Sequence, residues 1–468
     1  MRRSKKRIAI IGSGITGLVT AYRLKKAIKK YHLPFELIVL EGTIRPGGKI
    51  HTMKIGEEYV DLGAESIDIR SGSAMELIKE LNLDNEVTYS QSGKQDIYAF
   101  NKLYHFDNPS YNGIPARRSD IWKYDILSFQ GKLSYLRDTY FSSSEVQKNT
   151  SVMDYLKTRI GSELTEYVAE PYFSEIYVND METTSIEVLN KQIVQLEKEY
   201  GNLTNAIEAN PELLDGNGNQ ISFKSGLETL ITALLDEVKE HVLFSKKVTE
   251  IQKSIEGTYI LDINKKEQVR VGAIVVATDP GSYRELFNDP ELMDQFKGIK
   301  SSSVGFAMFS FPKGSIENKP EGNGIFCSRR NDSHISSIVW LNKKWESLKN
   351  KEEEMIGVYF GRGNEEIMLS LSNKQIEELL LKDLEKILGI KEAPIYHILK
   401  RWTNSYLNSA FKTEEETVEL TNVLNQQYPG VFLAGNGIAG FGINSCIEQG
   451  NEVSKLVIQH LKKQNSIN

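Results

Sequence analysis

The residues best suited to chemistry in this chain are three glycines and a distant acid. Gly12, Gly14 and Gly17 stand in "GSGITG", and Glu41 follows 24 residues after the last of them. Gly12 permits a tight turn, Gly14 leaves room for a pyrophosphate, and Gly17 lets a helix approach a strand closely. Ser13, Ile15 and Thr16 complete the loop, whose backbone N–H groups meet the positive end of a helix and so favour phosphate. A carboxylate at Glu41 can accept hydrogen bonds from both hydroxyls of an adenosine ribose and repels a 2′-phosphate, which disfavours NADP.

Specific elements must hold these residues in place. "RIAII" at 7–11 reads as a buried strand, and the segment after the glycines carries helical periodicity. "FELIVLEG" at 35–42 then reads as a second strand ending on the acid, completing a right-handed βαβ unit. Between about 115 and 200 the chain turns amphipathic and helical. Strand patterns return from "QISFKSG" through "VRVGAIVVATDP" and again in "SVGFAMFSF", "GIFCSRR", "HISSIVWL" and "EMIGVYFG". Residues 373–388 read as a helix with Asn373 as its N-cap. No linker separates these stretches, so the expected architecture is interleaved.

Composition narrows the function further. The 468 residues exceed what one small domain needs, and apolar and charged fractions of 40% and 26% describe a folded chain. A net charge of −6 gives no general attraction for nucleic acid, so an anionic ligand needs local cations. No apolar run reaches the roughly 18 residues of a spanning helix, and the run after "MRRSKKR" is too short for a secretory leader. Cys327 and Cys446 show no metal or redox spacing, the seven histidines form no metal cluster, and a cytoplasmic location is expected.

Two further glycine stretches stand beside the first. "GTIRPGGKIHT" places Arg45, Gly47, Gly48 and Lys49 directly after Glu41, and "VDLGAES" supplies Gly63, Ala64, Glu65 and Ser66. Near the C-terminus, "FLAGNGIAGFGINSCIEQG" at 432–450 reads as strand, glycine turn and helix. This pairing resembles the flavin signature of the amine oxidase superfamily, which implies FAD rather than NAD. In that resemblance Val248 meets the adenine, Ala277 belongs to a flavin-domain strand, and Gly435, Asn436, Gly442, Ile443 and Asn444 return to the flavin.

Within the superfamily the chain resembles bacterial oxygen-dependent protoporphyrinogen/coproporphyrinogen III oxidases. The matching text includes "GAESIDIRSGSAMELIKELNL" at 63–83, "EPYFSEIYVNDMETTSIEV" at 170–188, "GNGIFCSRRND" at 322–332, "VWLNKKW" at 339–345 and the C-terminal stretch. The resemblance implies an α/β fold: a Rossmann-like FAD-binding domain (1–68, 220–282 and 422–468) interleaved with a mixed-sheet substrate domain (69–114, 201–219 and 283–421). A helical insertion at 115–200 is the expected membrane-facing part, giving a peripheral contact with the inner face of the cell membrane. The implied reaction oxidises a porphyrinogen at the flavin, with molecular oxygen as acceptor and hydrogen peroxide as by-product, in haem biosynthesis. A downstream chelatase is the implied partner, and no catalytic side chain or metal is required.

Such a substrate is a flat apolar ring carrying carboxylates, so its pocket should be apolar with a few placed cations. Arg70 is the first candidate, with Ile176, Tyr177 and Asn179 as pocket wall and Arg329, Lys343 and Lys344 as further cations. Two departures bear on the substrate: "SEIYVND" replaces the family's glycine-containing "SGIYAGD" type segment, and "TNSYLNSAF" replaces its "MPQY" type stretch. Three readings therefore stand together: a porphyrinogen oxidase acting on coproporphyrinogen III or protoporphyrinogen IX, an amine oxidase-like or desaturase-like relative, and a porphyrin-binding flavoprotein without catalysis.

Overall fold

The computed structural model describes residues 6–466 except 70–71, 92–93, 142–146, 148, 178–179, 216–219, 255–256, 299, 350–351, 362–365, 409–413, 437 and 439–441. Five parallel strands form one sheet in the spatial order Val242–Leu243, Phe35–Leu40, Lys6–Ile11, Ala273–Val276 and Val431–Leu433. The strand "AIVV" is buried at all four positions, as a sheet covered on both faces requires. On one face Ile8, Ile10, Leu37, Val39 and Val275 pack under three helices, Ile15–Lys30, Glu228–Val238 and Gly442–Ser466. On the other, Ala9, Ile11, Ile274 and Val276 meet the antiparallel meander of Val248–Lys253, Tyr259–Ile263 and Glu267–Val271.

The strand order reverses direction at Lys6–Ile11, because the chain builds outward on one side and returns on the other. A crevice therefore opens beyond the carboxyl ends of Lys6–Ile11 and Ala273–Val276, where open α/β sheets place ligands. The first glycine loop starts at its edge.

A second sheet of seven strands runs in the order Tyr396–Asn408, Lys300–Pro312, Glu353–Phe360, Ile335–Trp340, Gly324–Cys327, Asp96–Ala99 and Lys102–Tyr104. Its pairs are antiparallel except where Gly324–Cys327 runs beside Asp96–Ala99. The helix Asn373–Leu388 buries Ile376, Leu380 and Leu384 against one face. Its N-cap is Ser372 and not Asn373, which is the first helical residue. The Ser372 hydroxyl accepts from Gln375 N at 3.3 Å, while the Gln375 side chain accepts from Ser372 N at 3.1 Å.

Between the sheets' segments lies a helical unit that includes Phe129–Phe141, Val152–Ile160, Glu170–Tyr177, Lys191–Tyr200 and Leu203–Ala209. Tyr124, Tyr155, Phe173 and Ile193 form its centre, and Leu203 and Ile207 join the same cluster, so the unit runs past residue 200. Arg159 and Glu197, both buried, pair inside it at 2.6 Å. Among the described residues no helix is long and apolar enough to cross a membrane.

Candidate functional site

The loop at 12–17 is shaped by contact. A Cβ on Gly12, whose φ is +100°, would lie 2.7 Å from the Ala277 carbonyl oxygen, and one on Gly17 would lie 2.1 Å from that of Gly12. Only hydrogen fits at either place. A Cβ on Gly14 would meet nothing within 4 Å, so the loop is open at the position facing the crevice. Gly14 is the N-cap of helix Ile15–Lys30 and makes no side-chain cap bond, which leaves the first helical N–H groups for a ligand. Ile15 and Thr16 are buried below it.

Glu41 stands at the end of its strand as expected, and its four acceptor positions are filled. Oε2 accepts from Ser13 N at 2.8 Å and Ser13 Oγ at 2.7 Å, and Oε1 accepts from Thr43 N and Oγ1, both at 2.8 Å. Burial pushes this carboxyl up, but the hydrogen bonds from Ser13 and Thr43 outweigh it and hold the group below its ordinary value. Two of the four donors are rotatable hydroxyls, so a diol can exchange with them without moving the backbone. Glu41 N and O also bond to Leu243 and Lys246, which brings the buried Val248 to the same side of the sheet.

The second glycine stretch zips onto the first. Gly47 N donates to Ser13 O at 2.9 Å, Gly14 and Gly47 form a parallel bridge, and a Cβ on Gly48 would stand 3.5 Å from the Gly14 Cα. Arg45 does not face the open loop. Its guanidinium donates to the carbonyls of Pro46, Ile50 and Gly48 at 2.8, 3.1 and 2.5 Å, so it fixes the loop's shape. Lys49 pairs with Asp279 across the crevice mouth.

Gly63 carries the stack further. A Cβ there would stand 2.3 Å from the Lys49 carbonyl oxygen and 3.1 Å from the Trp402 ring. Trp402 Nε1 donates to Leu62 O at 2.8 Å and Tyr359 OH to Gly63 O at 3.2 Å, so two residues of the seven-stranded sheet hold this turn. Ala64 and Ser66 are half-buried beside it. Glu65 pairs with Lys344, whose side chain is only 3% exposed, and Glu65 Oε2 is buried without a hydrogen-bond partner. His51 Nδ1 is also buried without one. Burial, then the positive charges of Arg45 and Lys400, push the His51 ring down to about 4, so it is neutral. Asp61 is pushed up to about 7 by burial, against hydrogen bonds from Thr52, Leu227 and Ser222.

At the other end of the chain, Ala434 N donates to Val276 O at 2.8 Å and Gly435 N to Gln449 Oε1 at 2.5 Å, which brings the C-terminal turn against Ala277. Asn436 Oδ1 accepts from Gly442 N at 3.3 Å, and Ile443 packs on the helical face of the first sheet. Asn444 turns elsewhere: its Oδ1 accepts from Ser73 Oγ and Ala74 N at 3.2 and 3.1 Å, and its amide donates to Asp68 O. It anchors the helix Ser73–Glu80. Gly450 has a packing role, since a Cβ there would stand 2.9 Å from the Val19 side chain where two helices meet.

The open loop at Gly14, the hydroxyl-exchangeable Glu41 and the two orphaned polar atoms beside Gly63 fit a flavin cofactor with a phosphate-bearing tail. The cations expected for substrate are differently employed. Arg329 donates to the buried Glu170 at 3.0 Å, Lys343 donates to Pro320 O at 2.5 Å and stands over the Trp340 ring at 4.4 Å, and Lys344 belongs to Glu65. Each is held by the fold and none is displayed for a ligand carboxylate. Arg70 and Asn179 lie outside the described residues, as do the side chains of Ile176 and Tyr177.

Sequence reasoning missed Tyr359, Trp402 and Lys400. Lys400 stands 4.9 Å from the Trp402 ring, and the "RW" at 401–402 was the one signal pointing to this strand.

The sequence profile of the flavin containing amine oxidoreductases matches residues 15–458. The chain is 28% identical to a coproporphyrinogen III oxidase of Bacillus subtilis, covering 96% of this chain and 97% of that protein. It is 27% identical to one of Staphylococcus aureus, with coverage of 97% and 100%. The structure superposes on that of a candidate protoporphyrinogen oxidase from Exiguobacterium sp. 255-15 with a TM-score of 0.86 at 23% identity, covering 98% and 99% of the two chains. A cyclohexylamine oxidase from Brevibacterium oxydans IH-35A follows the same fold with a TM-score of 0.69 at 15% identity, covering 98% of this chain and all of that one.

Proposed function

The chain belongs to the flavin containing amine oxidoreductases, and from that premise we propose that it is an FAD-dependent oxidase of a porphyrinogen, coproporphyrinogen III or protoporphyrinogen IX. Each turnover removes six electrons and six hydrogens in three two-electron steps, and three molecules of oxygen leave as three of hydrogen peroxide. Bound flavin supplies the two-electron acceptor chemistry. The cradle at Gly12–Gly17 would hold the pyrophosphate, Glu41 the ribose, Val248 the adenine side, and Gly47, Gly48 and Gly63 the close backbone approach. FAD is favoured over a mononucleotide because Glu41 stands where a carboxylate can accept from the hydroxyls of an adenosine ribose, which a flavin mononucleotide lacks.

The observation that carries this reading is the Tyr359–Gly63 hydrogen bond. It joins the cofactor turn to an apolar, aromatic sheet face, where Phe306 and Tyr359 have ring centroids 4.9 Å apart. A flat apolar ring suits such a floor. The two sheets and the helical unit support a division into FAD-binding, substrate and helical parts, with the helical part extended to include Leu203 and Ile207. Trp122, Phe129 and Tyr140 are 46%, 67% and 68% exposed on that unit, which supports peripheral membrane contact; failure to cosediment with anionic vesicles would remove it. A metal chelatase is the class of enzyme that would take the product.

Aerobic turnover tests the reading. Purified protein should be yellow, should release FAD on denaturation, and should convert coproporphyrinogen III or protoporphyrinogen IX to fluorescent porphyrin. Oxidation of neither substrate by FAD-replete protein would refute it. Arg70→Ala should impair the tetracarboxylate more than the dicarboxylate, and equal impairment would remove the proposed propionate contact.

A further inference from the structure

The two hydroxyls that donate to Glu41 differ in what awaits them when they turn away. Ser13 Oγ donates to Oε2 at 2.7 Å, and among the described residues that oxygen is its one hydrogen-bond partner. Ser13 is fully buried under the second glycine stretch, whose Gly47 N donates to Ser13 O. Turned away from Glu41, its hydroxyl would be stranded out of water without an acceptor, a loss comparable to the gain of one new hydrogen bond to the carboxylate. Thr43 is exposed, and its Oγ1 stands 2.8 Å from Glu41 Oε1 and 2.8 Å from Arg45 O. A hydroxyl carries one proton. It therefore donates to one of these oxygens at a time and can turn to Arg45 O without losing a bond. The Arg45 guanidinium, tied to the carbonyls of Pro46, Ile50 and Gly48, holds that second acceptor in place.

We propose that Glu41 offers a ribose only Oε1, uncovered when Thr43 turns its hydroxyl to Arg45 O, while Oε2 stays with Ser13. One ribose hydroxyl therefore carries the recognition, where an acid at the end of the second strand is otherwise expected to serve both. The backbone N–H groups of Ser13 and Thr43, each 2.8 Å from the carboxylate, keep its aim the same before and after the exchange. Thr43 is the positioning residue: it satisfies Oε1 until a ligand arrives and then yields its place. The inference rests on the FAD reading, because a flavin mononucleotide brings no adenosine ribose.

The test titrates the flavin-stripped full-length chain with ADP, 2′-deoxy-ADP and 3′-deoxy-ADP, each in competition with FAD. Loss of one hydroxyl should weaken binding roughly tenfold, and loss of the other less than about twofold. Equal losses, or none, would overturn the proposal. Ser13→Ala clears Oε2 and should make the second deletion cost roughly fivefold. An unchanged pattern in that variant would show that Ser13 is not what withholds Oε2, and would also overturn the proposal. Thr43→Val removes the hydroxyl that yields, so it should bind ADP at least as tightly as wild type and keep the one-hydroxyl pattern, and Thr43→Ser should match wild type. A uniform loss for all three nucleotides in Thr43→Val, restored in Thr43→Ser, would make Thr43 a fixed tie of the loop and contradict the exchange. Melting temperature identifies a misfolded variant, and the comparison of the three nucleotides on wild type then decides alone. A chain that binds neither ADP nor FAD ends the FAD reading and this inference together, whereas FAD binding with equal losses for the two deoxynucleotides ends this inference and leaves the FAD reading standing.

Discussion

The proposed cofactor cradle and the proposed substrate floor are built from different materials. The cradle is made of backbone: Gly12, Gly17, Gly47 and Gly63 sit where a Cβ would strike the carbonyl oxygen of Ala277, Gly12, Ile50 or Lys49 at 2.1–2.8 Å. The floor is made of side chains from strands far apart in sequence, placed by register across the seven-stranded sheet. A backbone site constrains residue type at fixed spacing, whereas a side-chain site constrains pairs. Substitutions in the cradle should therefore fail through shape, and those toward the floor through charge or hydrogen bonding.

The largest effect is expected where shape is tightest. Gly17→Ala puts a methyl group into the Gly12 carbonyl oxygen, and it should cost about 3 kcal/mol and yield protein without bound flavin. A yellow Gly17→Ala protein that melts like wild type would break the contrast. The junction between the regions comes next. Glu65→Gln leaves the Lys344 ammonium, 3% exposed, without its carboxylate, and should cost about 3 kcal/mol in a urea titration. The double variant Glu65→Gln/Lys344→Met should recover most of that loss, because it removes both charges together.

Smaller effects should appear in the pH dependence. Folded Asp61 keeps its proton to about pH 7, against an ordinary value of 3.8, so between these values the folded state binds more protons and its contribution falls as pH rises. Folded His51 stays neutral to about pH 4, against 6.5, so its contribution is present above 6.5 and lost as pH falls toward 4. The two slopes oppose each other between about pH 4 and 6.5. Asp61→Asn should make the melting temperature rise more steeply with pH in that window, and His51→Gln should make it fall. Identical profiles for both variants would show that neither group titrates as the geometry requires.

Legibility in the sequence follows the same division. The first βαβ unit, the helix 373–388 and the glycine loops were readable because periodicity and spacing are local properties. Glu41 was readable as the acid after the second strand, though not its prior engagement by Ser13 and Thr43. Arg45 and Asn444 carried the right residue types in the right stretch, yet their side chains hold the loop and the helix Ser73–Glu80. Arg329, Lys343 and Lys344 were read as further candidate cations for substrate or as solvated surface charges, because nothing local announces that Glu170, Pro320 and Glu65 lie against them. Tyr359 escaped because a tyrosine in an alternating strand looks like core until its register against Ser337 and Phe306 is known. Glu175 was visible only as a departure from a family pattern, and its contact with Ser337, 162 residues away, gives the departure a physical meaning.

The central claim is that a porphyrinogen placed on this floor delivers electrons to a flavin held by the cradle. Mixing the yellow holoprotein with coproporphyrinogen III or protoporphyrinogen IX under strict exclusion of oxygen tests that transfer without the oxidative half of the cycle. The flavin absorbance should bleach, with about one porphyrin formed per three flavins, since each porphyrin requires three two-electron transfers. A flavin that stays yellow in the presence of excess of either porphyrinogen would contradict the account.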